Sequence, residues 1–468
     1  MKPLSIQDIK RAISGRSLSV IPEVTPFVKS ICTDTRRIEP GCLFIAIKGD
    51  KFDAHEFLAD AAKSGAIAAL VEKPPATPIA NFHLIGVLST RRAMGKLAMH
   101  VRKQMRAKVI AVAGSNGKTS TKHLIDAALS AKLKGSISPK SFNNDIGVPL
   151  AIFPADPSQD YLVLEIGTNH FGEIKNLSDI ALPDIAVITN CGAEHLEFLR
   201  DLNGVRRENA EIVSGMTAKG TLIVNGDDPD LLKEIESFPG QKITFGLNET
   251  NDLFASNIEC DQTGVRFSLN KSRRRVFVPM LGKHNACNAL AALAVARRMG
   301  VNEEQAIESL ATAHGPEMRM QLQSIGPITL INDAYNANPS SMRAALQTLA
   351  ALQSPGRHIA ILGDMLELGS TSDRYHREMG QVAAQCKLDL LVCVGHQAAL
   401  IAEEAGTAGL PNDRILRFND STEATRGVPV RLKDGDLILL KGSRSMRLEA
   451  IDEAIRKHHD ASSIKVAS

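Results

Sequence analysis

Val109-Ile110-Ala111-Val112-Ala113-Gly114-Ser115-Asn116-Gly117-Lys118-Thr119-Ser120-Thr121 decides the fold. Five apolar residues bounded by Gly114 read as a buried parallel strand, and Lys118 to Ala131 reads as the helix that follows it. Strand, glycine loop and helix form a phosphate-binding arrangement. Gly114 and Gly117 let the backbone approach a polyphosphate, the helix N-terminus aims N–H groups at it, Lys118 adds charge, and Thr119 offers a hydroxyl to Mg2+. The strict P-loop pattern needs a glycine five positions before Gly117, where Val112 stands, so the loop is a shortened Gly-x-x-Gly-Lys-Thr. An ordinary strand-to-helix turn is the competing reading. The strand before and the helix after favour a nucleotide cradle made of Gly114, Ser115, Asn116, Gly117, Lys118, Thr119 and Ser120.

Outward from this loop, strands are expected at Tyr161 to Ile166, Ile185 to Thr189, Thr221 to Asn225 and Lys242 to Phe245, alternating with helices as in a covered parallel sheet. Val265 to Leu269 and Arg274 to Pro279 flank a polar turn, Asn270 to Arg273, and read as an antiparallel hairpin. An alanine-rich helix follows, from Lys283-His284-Asn285 to Met299. Before the loop, a small α/β unit is expected, with helices at Ser5 to Ile13 and Glu56 to Ser64, strands at Cys42 to Ile47 and Ile67 to Val71, and a helix at Thr90 to Met105. After Gly315-Pro316 a second open sheet is expected, with strands at Ile328 to Ile331, His358 to Leu362, Leu390 to Val394 and Leu437 to Leu440. The expected division is therefore 1–105, 106–315 and 316–468.

Composition agrees with a large multidomain protein. The chain has 468 residues, 44% of them hydrophobic, enough for two to four domains. Its 55 basic and 52 acidic residues leave a net charge of +3, which gives no polyanion-binding signal. Absence of Trp and an aromatic content of 4% argue against base-stacking surfaces, so no nucleic-acid partner is expected. No run of about 18 apolar residues exists, and Met1 to Gly15 lacks the apolar core of a signal peptide. A cytoplasmic protein without a transmembrane segment is expected. The seven cysteines have no metal-type pairing at short spacing and read as buried free thiols.

Candidate chemistry collects after the strands, where ligands of open α/β sheets bind. Glu165 ends one strand and His195 lies just beyond another. If both strands flank the phosphate-loop strand, a carboxylate and a neutral imidazole beside Thr119 can hold Mg2+. Helix capping and an ordinary loop histidine are the alternatives. The loop Ser141 to Pro149, with Asn143-Asn144-Asp145, fits an Asx turn or a ligand contact. Capping explains Asn338, Ser340 or Ser341 after the Ile328 strand. It does not explain Asp333, Tyr335 and Asn336 together. Gly363 to Gly369 and Lys441-Gly442-Ser443-Arg444-Ser445 occupy equivalent edges. Near the start, Thr33 to Arg37, Pro40-Gly41, Gly49-Asp50 and Asp53-Ala54-His55 surround the Cys42 strand, as solvated loops or as a site for a charged ligand.

Taken jointly, the shortened phosphate loop, Asn143 to Pro149, Glu165-Ile166-Gly167-Thr168-Asn169-His170, His284-Asn285 with Asn288-Ala289-Leu290, Asp333 to Pro339, Gly363 to Gly369 and Lys441 to Arg444 resemble the Mur ligases, ATP-dependent amide-forming enzymes of peptidoglycan synthesis. The resemblance runs from about Thr33 to Arg447. Tyr335-Asn336-Ala337-Asn338-Pro339 points to the branch that adds D-alanyl-D-alanine to UDP-N-acetylmuramoyl-tripeptide. It implies an N-terminal unit for the UDP substrate, a central ATPase and a Rossmann-like C-terminal domain in a monomer. It further implies Lys118 on the β/γ-phosphates, Thr119 and Glu165 on one Mg2+, His195 on a second, and Asn285, Tyr335 and Asn336 near adenosine. Arg319 and Asp333 would complete the nucleotide site on closure, Thr35, Arg36, Lys48 and Gly49 would hold UDP, and Asn144, Lys441, Ser443 and Arg444 would face substrate or phosphates.

Two departures stand out. These ligases usually carry a carbamylated lysine some dozen residues after the metal-binding histidine, and Asn209 occupies that position. An amide cannot carry a carbamate, so Asn209 contacts the metal's water shell, Glu208 or Glu211 takes over the charge, or the second metal is weakly held. A carbamate-independent enzyme is expected. Asn332 stands where the branch often has an acidic residue. A folate-polyglutamate-forming ligase shares the phosphate loop but is disfavoured by the unit before Arg106. A catalytically silent nucleotide-binding relative is disfavoured by retention of Lys118, Thr119, Glu165 and His195.

Overall fold

The computed structural model describes residues 1–19, 27–49, 51–270 and 274–466. Asp50, Lys271 to Arg273 in the expected hairpin turn, and the last two residues of the chain lie outside them. Among the described residues three sheets form, of five, nine and six strands.

In the central sheet, Lys108–Ala113 pairs in parallel with Tyr161–Glu165 on one side and Ile185–Ile188 on the other. Val112 lies opposite both Glu165 and Val187. The condition set by the sequence is met: the two candidate metal-side strands flank the phosphate-loop strand, and their carboxyl ends open on one edge. These strands are buried on both faces because they are continuous apolar runs. The alanine-rich helix His284–Arg298 lies against the phosphate-loop helix Lys118–Ser130, burying Ala289, Leu290, Ala292 and Leu293 with Leu124, Ile125 and Ala128. Small side chains let the two backbones approach closely. The expected hairpin is present as Gly264–Leu269 against Arg275–Val278. A further strand, Leu253–Asp261, pairs antiparallel with it and joins it to the parallel sheet.

The N-terminal sheet places Ser30–Cys32 beside Cys42–Ile45, Ala68–Val71 and His83–Gly86, all parallel. The expected helix from Glu56 is split into a 3-10 turn, Ala54–Phe57, and a helix, Leu58–Lys63, because the Asp53 side chain caps the turn at His55 N. The C-terminal sheet runs Gln321–Ile325, Ile328–Asn332, Leu437–Lys441, His358–Gly363, Leu390–Val394 and Ile415–Phe418, with only the first pair antiparallel. No helix among the described residues is long and apolar enough to cross a membrane.

Candidate active site

The phosphate loop is built by close approach. Gly114 has φ +126, and a Cβ there would fall 2.1 Å from Thr189 Oγ1. Gly117 has φ +80, and its Cβ would fall 2.5 Å from Asn288 Oδ1. Only glycine is accommodated without displacement at either position. The end of the neighbouring strand braces the loop: Ser115 N donates to Asn190 O at 2.8 Å, Asn116 N to Asn190 Oδ1 at 3.1 Å, and Thr189 Oγ1 to Asn116 O at 2.6 Å. Lys118 Nζ folds back onto the carbonyls of Gly114 and Ser115. The first amides of its helix have no intrahelical acceptor and face the same space.

Glu165 is 1% exposed and held from several sides. Thr119 Oγ1 donates to Oε2 at 2.9 Å, Asn143 Nδ2 donates to Oε1 at 3.0 Å, and Lys122 Nζ lies 3.5 Å from Oε2. Lys122 is fully buried and also donates to the carbonyls of Ser138, at 2.8 Å, and Lys140. Burial pushes its amine below the ordinary lysine range, against the opposing pull of Glu165. Sequence reasoning missed Lys122. The signal was its i+4 spacing from Lys118, because a second lysine this near a helix N-terminus requires an acid to offset the dipole.

Mg2+ takes one or two carboxylates together with phosphate oxygens and water. Thr119 hydroxyl and Glu165 carboxylate, touching each other beneath the phosphate loop, fit that donor set. The described residues hold no group of three or more His, Cys, Asp or Glu side chains gathered as a ready-made cage, so the phosphates themselves would supply the remaining oxygens. His195 sits further along the cleft with its Nε2 3.8 Å from Glu194 Oε2, while its Nδ1 meets the carboxylate of Glu367 from the C-terminal unit. That contact holds the Glu367 carboxyl below its ordinary range.

The structure does not bring Asn209 to the site. It lies 1% exposed on the helix Leu202–Ala210, its Nδ2 donates to Val205 O at 2.9 Å, and it does not line the cleft. Glu208 does not replace it, because its carboxylate accepts from Gly172 N and Ile174 N, each at 2.8 Å, and so caps the N-terminus of the neighbouring helix Glu173–Ala181.

The facing wall comes from the C-terminal unit. Asn338 Nδ2 donates to Asn116 Oδ1, and Asn116 Nδ2 donates to Ser340 Oγ, both at 2.9 Å, so the phosphate loop is in direct contact with the Asp333 to Ser341 loop. Arg319 stacks over the Tyr335 ring at 4.1 Å. Asp333 accepts from Met320 N at 3.1 Å and from Lys441 Nζ at 2.6 Å. Lys441, 2% exposed, also donates to Asn336 O at 3.0 Å. Lys441 lines the cleft with its ammonium paired to Asp333. Asn285 supports Asn288, which accepts from Thr121, and thus braces the phosphate-loop helix. Asn144 forms an Asx turn, accepting from Gly147 N at 2.8 Å. Ser443 Oγ accepts from Leu366 N at 2.9 Å, and Arg444 pairs with Glu449 at 3.2 Å. Between the walls lies a cleft of about 1090 Å3 lined by Lys118, Glu165, His195, Asn285, Arg319, Tyr335, Asn336, Asn144, Ser443 and Arg444 among others.

Thr35, Arg36, Lys48 and Gly49 do not line this cleft. They follow two adjacent parallel strands of the N-terminal sheet and so share its carboxyl edge. Asp34 caps the turn Thr35–Arg37 and takes both arms of the Arg36 guanidinium, at 2.9 and 2.8 Å, which holds its carboxyl at about 2.

Comparison with known proteins adds independent findings. The family models described as Mur ligase family, catalytic domain; Mur ligase middle domain; and Mur ligase, glutamate ligase domain match residues 27–102, 112–296 and 318–444. The UDP-N-acetylmuramoyl-tripeptide–D-alanyl-D-alanine ligase of Bacillus subtilis is 36% identical over 448 residues, covering 96% of this chain and 97% of that one. The protein of the same name from Escherichia coli is 36% identical over 436 residues, covering 92% and 94%. A crystal structure of MurF from Acinetobacter baumannii superposes with a TM-score of 0.88 at 32% identity, covering 98% of this chain and 99% of that one. MurF ligase from Thermotoga maritima in complex with ADP gives a TM-score of 0.82 at 26% identity, covering 93% and 99%.

Proposed function

The chain belongs to the Mur ligase family, and we propose on that footing that it joins D-alanyl-D-alanine to UDP-N-acetylmuramoyl-tripeptide with cleavage of ATP to ADP and phosphate. The product is the UDP-linked pentapeptide precursor of peptidoglycan. The observation that carries the reading is the cleft with the phosphate loop and Glu165 on one wall and the Asp333 to Ser341 loop on the other.

An amide bond cannot form directly, because a carboxylate does not expel oxide. The γ-phosphoryl group of ATP passes first to the terminal carboxylate of the tripeptide, giving an acyl phosphate and ADP. The free amine of the dipeptide then attacks the acyl carbon, the tetrahedral intermediate collapses, phosphate leaves and the amine loses a proton. Such transfers depend on positioning and charge stabilisation. Lys118 and the helix amides hold the β- and γ-phosphates. Thr119 and Glu165 would hold one Mg2+ and His195 a second, and the metal would supply charge neutralisation for the transferring phosphoryl group. Tyr335, Asn336 and Arg319 receive the nucleoside side, and Asn285 keeps the floor beneath it. Thr35, Arg36, Lys48 and Gly49 hold the UDP end at the N-terminal sheet edge, and Asn144, Ser443 and Arg444 face the reacting end of the substrates.

Division at 105/106 and 315/316 is supported by the three sheets, whose strands fall within residues 16–86, 108–278 and 321–441. The enzyme works as a monomer, since one chain supplies both walls of the cleft, and in the cytoplasm, where ATP and UDP-linked precursors are found. The test is phosphate release from ATP and Mg2+ with the tripeptide nucleotide, with and without D-alanyl-D-alanine, followed by mass analysis. Dipeptide-dependent release with a product heavier by one dipeptide less water is expected. ATP binding without turnover on tripeptides of either diamino-acid type would overturn the assignment.

A further inference from the structure

Glu367 and His195 meet across the domain boundary, and both are non-glycine residues in the left-handed region, at φ +62 and +50. A single such residue costs on the order of 1 kcal/mol and persists only where its surroundings over-determine it. Here they do. On the Glu367 side, Met365 N donates to His376 Nε2 at 3.0 Å, Leu366 N to Ser443 Oγ at 2.9 Å, and Ala398 N to Asp364 Oδ1 at 2.7 Å. On the His195 side, Glu197 N donates to Glu367 O at 3.2 Å, so backbone as well as side chain joins the two loops.

The chemistry of the contact is directional. A carboxylate only accepts, so the neutral imidazole must carry its proton on Nδ1 to pair with Glu367. Nε2 is then left with its lone pair, the form in which histidine ligates a metal, and an outer carboxylate of this kind fixes ring orientation and basicity. We propose that Glu367 is a positioning residue for His195, locking its Nδ1–H tautomer from the opposite domain so that the metal-binding nitrogen is presented only when the domains have closed. The inference rests on the reading of His195 as a metal ligand. It explains why the carboxylate comes from the C-terminal unit: a lock carried by the central domain would present Nε2 in the open enzyme as well.

The test uses full-length enzyme labelled with 15N in its histidine rings, with His195 assigned by its loss in H195A. Mn2+ with a non-hydrolysable ATP analogue is the probe, followed by electron paramagnetic resonance. In the unmodified protein the His195 shifts should report a single Nδ1–H tautomer. E367A should give a mixture of tautomers and weaken Mn2+ binding by about 10- to 100-fold. E367Q, which still offers a carbonyl oxygen to Nδ1–H, should fall between the two. Unchanged tautomer and Mn2+ affinity within twofold in E367A would overturn the proposal. So would a wider interdomain separation in solution scattering without a tautomer shift, because Glu367 would then be a mechanical latch only. Unaltered Mn2+ binding in H195A would instead remove His195 as a ligand, and the tautomer measurement would still decide whether Glu367 positions it.

Discussion

Replacing Lys122 with Met isolates the buried charge pair beneath the phosphate loop. Met matches the aliphatic stem of the side chain but removes the ammonium that donates to Ser138 O and Lys140 O and lies 3.5 Å from Glu165. Glu165, 1% exposed, is left with Thr119 and Asn143 as neutral donors and no ion-pair partner among the described residues. Breaking one side of a buried ion pair costs about 3–5 kcal/mol, a large part of the roughly 5–15 kcal/mol that holds a domain together. The companion variant E165Q removes the stranded charge. In the double variant most of the loss should return, leaving about 1–2 kcal/mol for the two carbonyls without their donor, so the coupling should be at least about 2–3 kcal/mol, increased by whatever E165Q alone costs in stranding Lys122. The assay is denaturant unfolding of all four proteins, with hydrogen exchange on Lys118–Ser130 to locate the transition in the central domain. A loss under 1 kcal/mol in K122M, or equal loss in the single and double variants, would refute the argument that Lys122 neutralises Glu165. Mg2+ and ATP should shrink the deficit of K122M, because a metal on Glu165 replaces the missing charge.

G114A should abolish measurable ATP binding in a fluorescent-nucleotide titration, since its Cβ would meet both the Thr189 side chain and backbone atoms of Thr189 and Asn190 at 3.0 Å; T189S should not rescue it. D333N strands Lys441 and should destabilise the C-terminal domain by about 3–5 kcal/mol in the same unfolding assay. His376 is fully buried, and burial holds its pKa below the ordinary 6.5. The unfolded chain therefore binds a proton that the folded one refuses, so stability falls as pH drops below 6.5, by at most about 1.4 kcal/mol per pH unit for this group. H376Q should flatten the slope of unfolding midpoint against pH. Enzyme prepared free of CO2 should show no sharp gain in activity on adding bicarbonate, because Asn209 offers no amine to carbamylate and its amide is engaged with Val205.

The parallel sheets and their loop-bearing edges were legible because strands buried on both faces are written as apolar runs, as at Val109 to Ala113 and Leu437 to Leu440. Short or edge strands carry no such signature. Gly135–Ile137 has three residues, and Gln321–Ile325 alternates exposed and half-buried positions along a surface pair. Site residues that belong to local motifs, such as Lys118 and Thr119, were equally readable. Pairs made by tertiary structure were not: Thr119 and Glu165 are 46 positions apart, His195 and Glu367 are 172 apart, and Asn116 and Ser340 are 224 apart. Asn209 shows the opposite failure. Its place in the sequence marked it for the metal, but its helix turns the amide inward, where it satisfies a backbone carbonyl.

The distribution of charge explains why the nucleotide should close the domains. Lys441 lines the cleft and Lys122 lies buried behind its other wall, and each is already neutralised, Lys122 by Glu165 and Lys441 by Asp333. Lys118 and Arg319 form no ion pair among the described residues. Lys118 lies in the phosphate loop and Arg319 beyond Gly315-Pro316, stacked on Tyr335. A polyphosphate docked on Lys118 alone would keep most of its charge. Balance would come from divalent metal on the Thr119 and Glu165 side and from the guanidinium on the other wall, and the second would arrive only when the C-terminal unit is in place. Arg319 should therefore contribute little to nucleotide affinity in a variant whose walls are held apart by loss of the Asn116 contacts to Asn338 and Ser340. In the intact enzyme R319A should weaken ATP by about the 1.5–3 kcal/mol of a hydrogen bond to a charged group. Equal losses in both backgrounds, read by calorimetric titration with ATP and Mg2+, would show that the guanidinium reaches the nucleotide without closure.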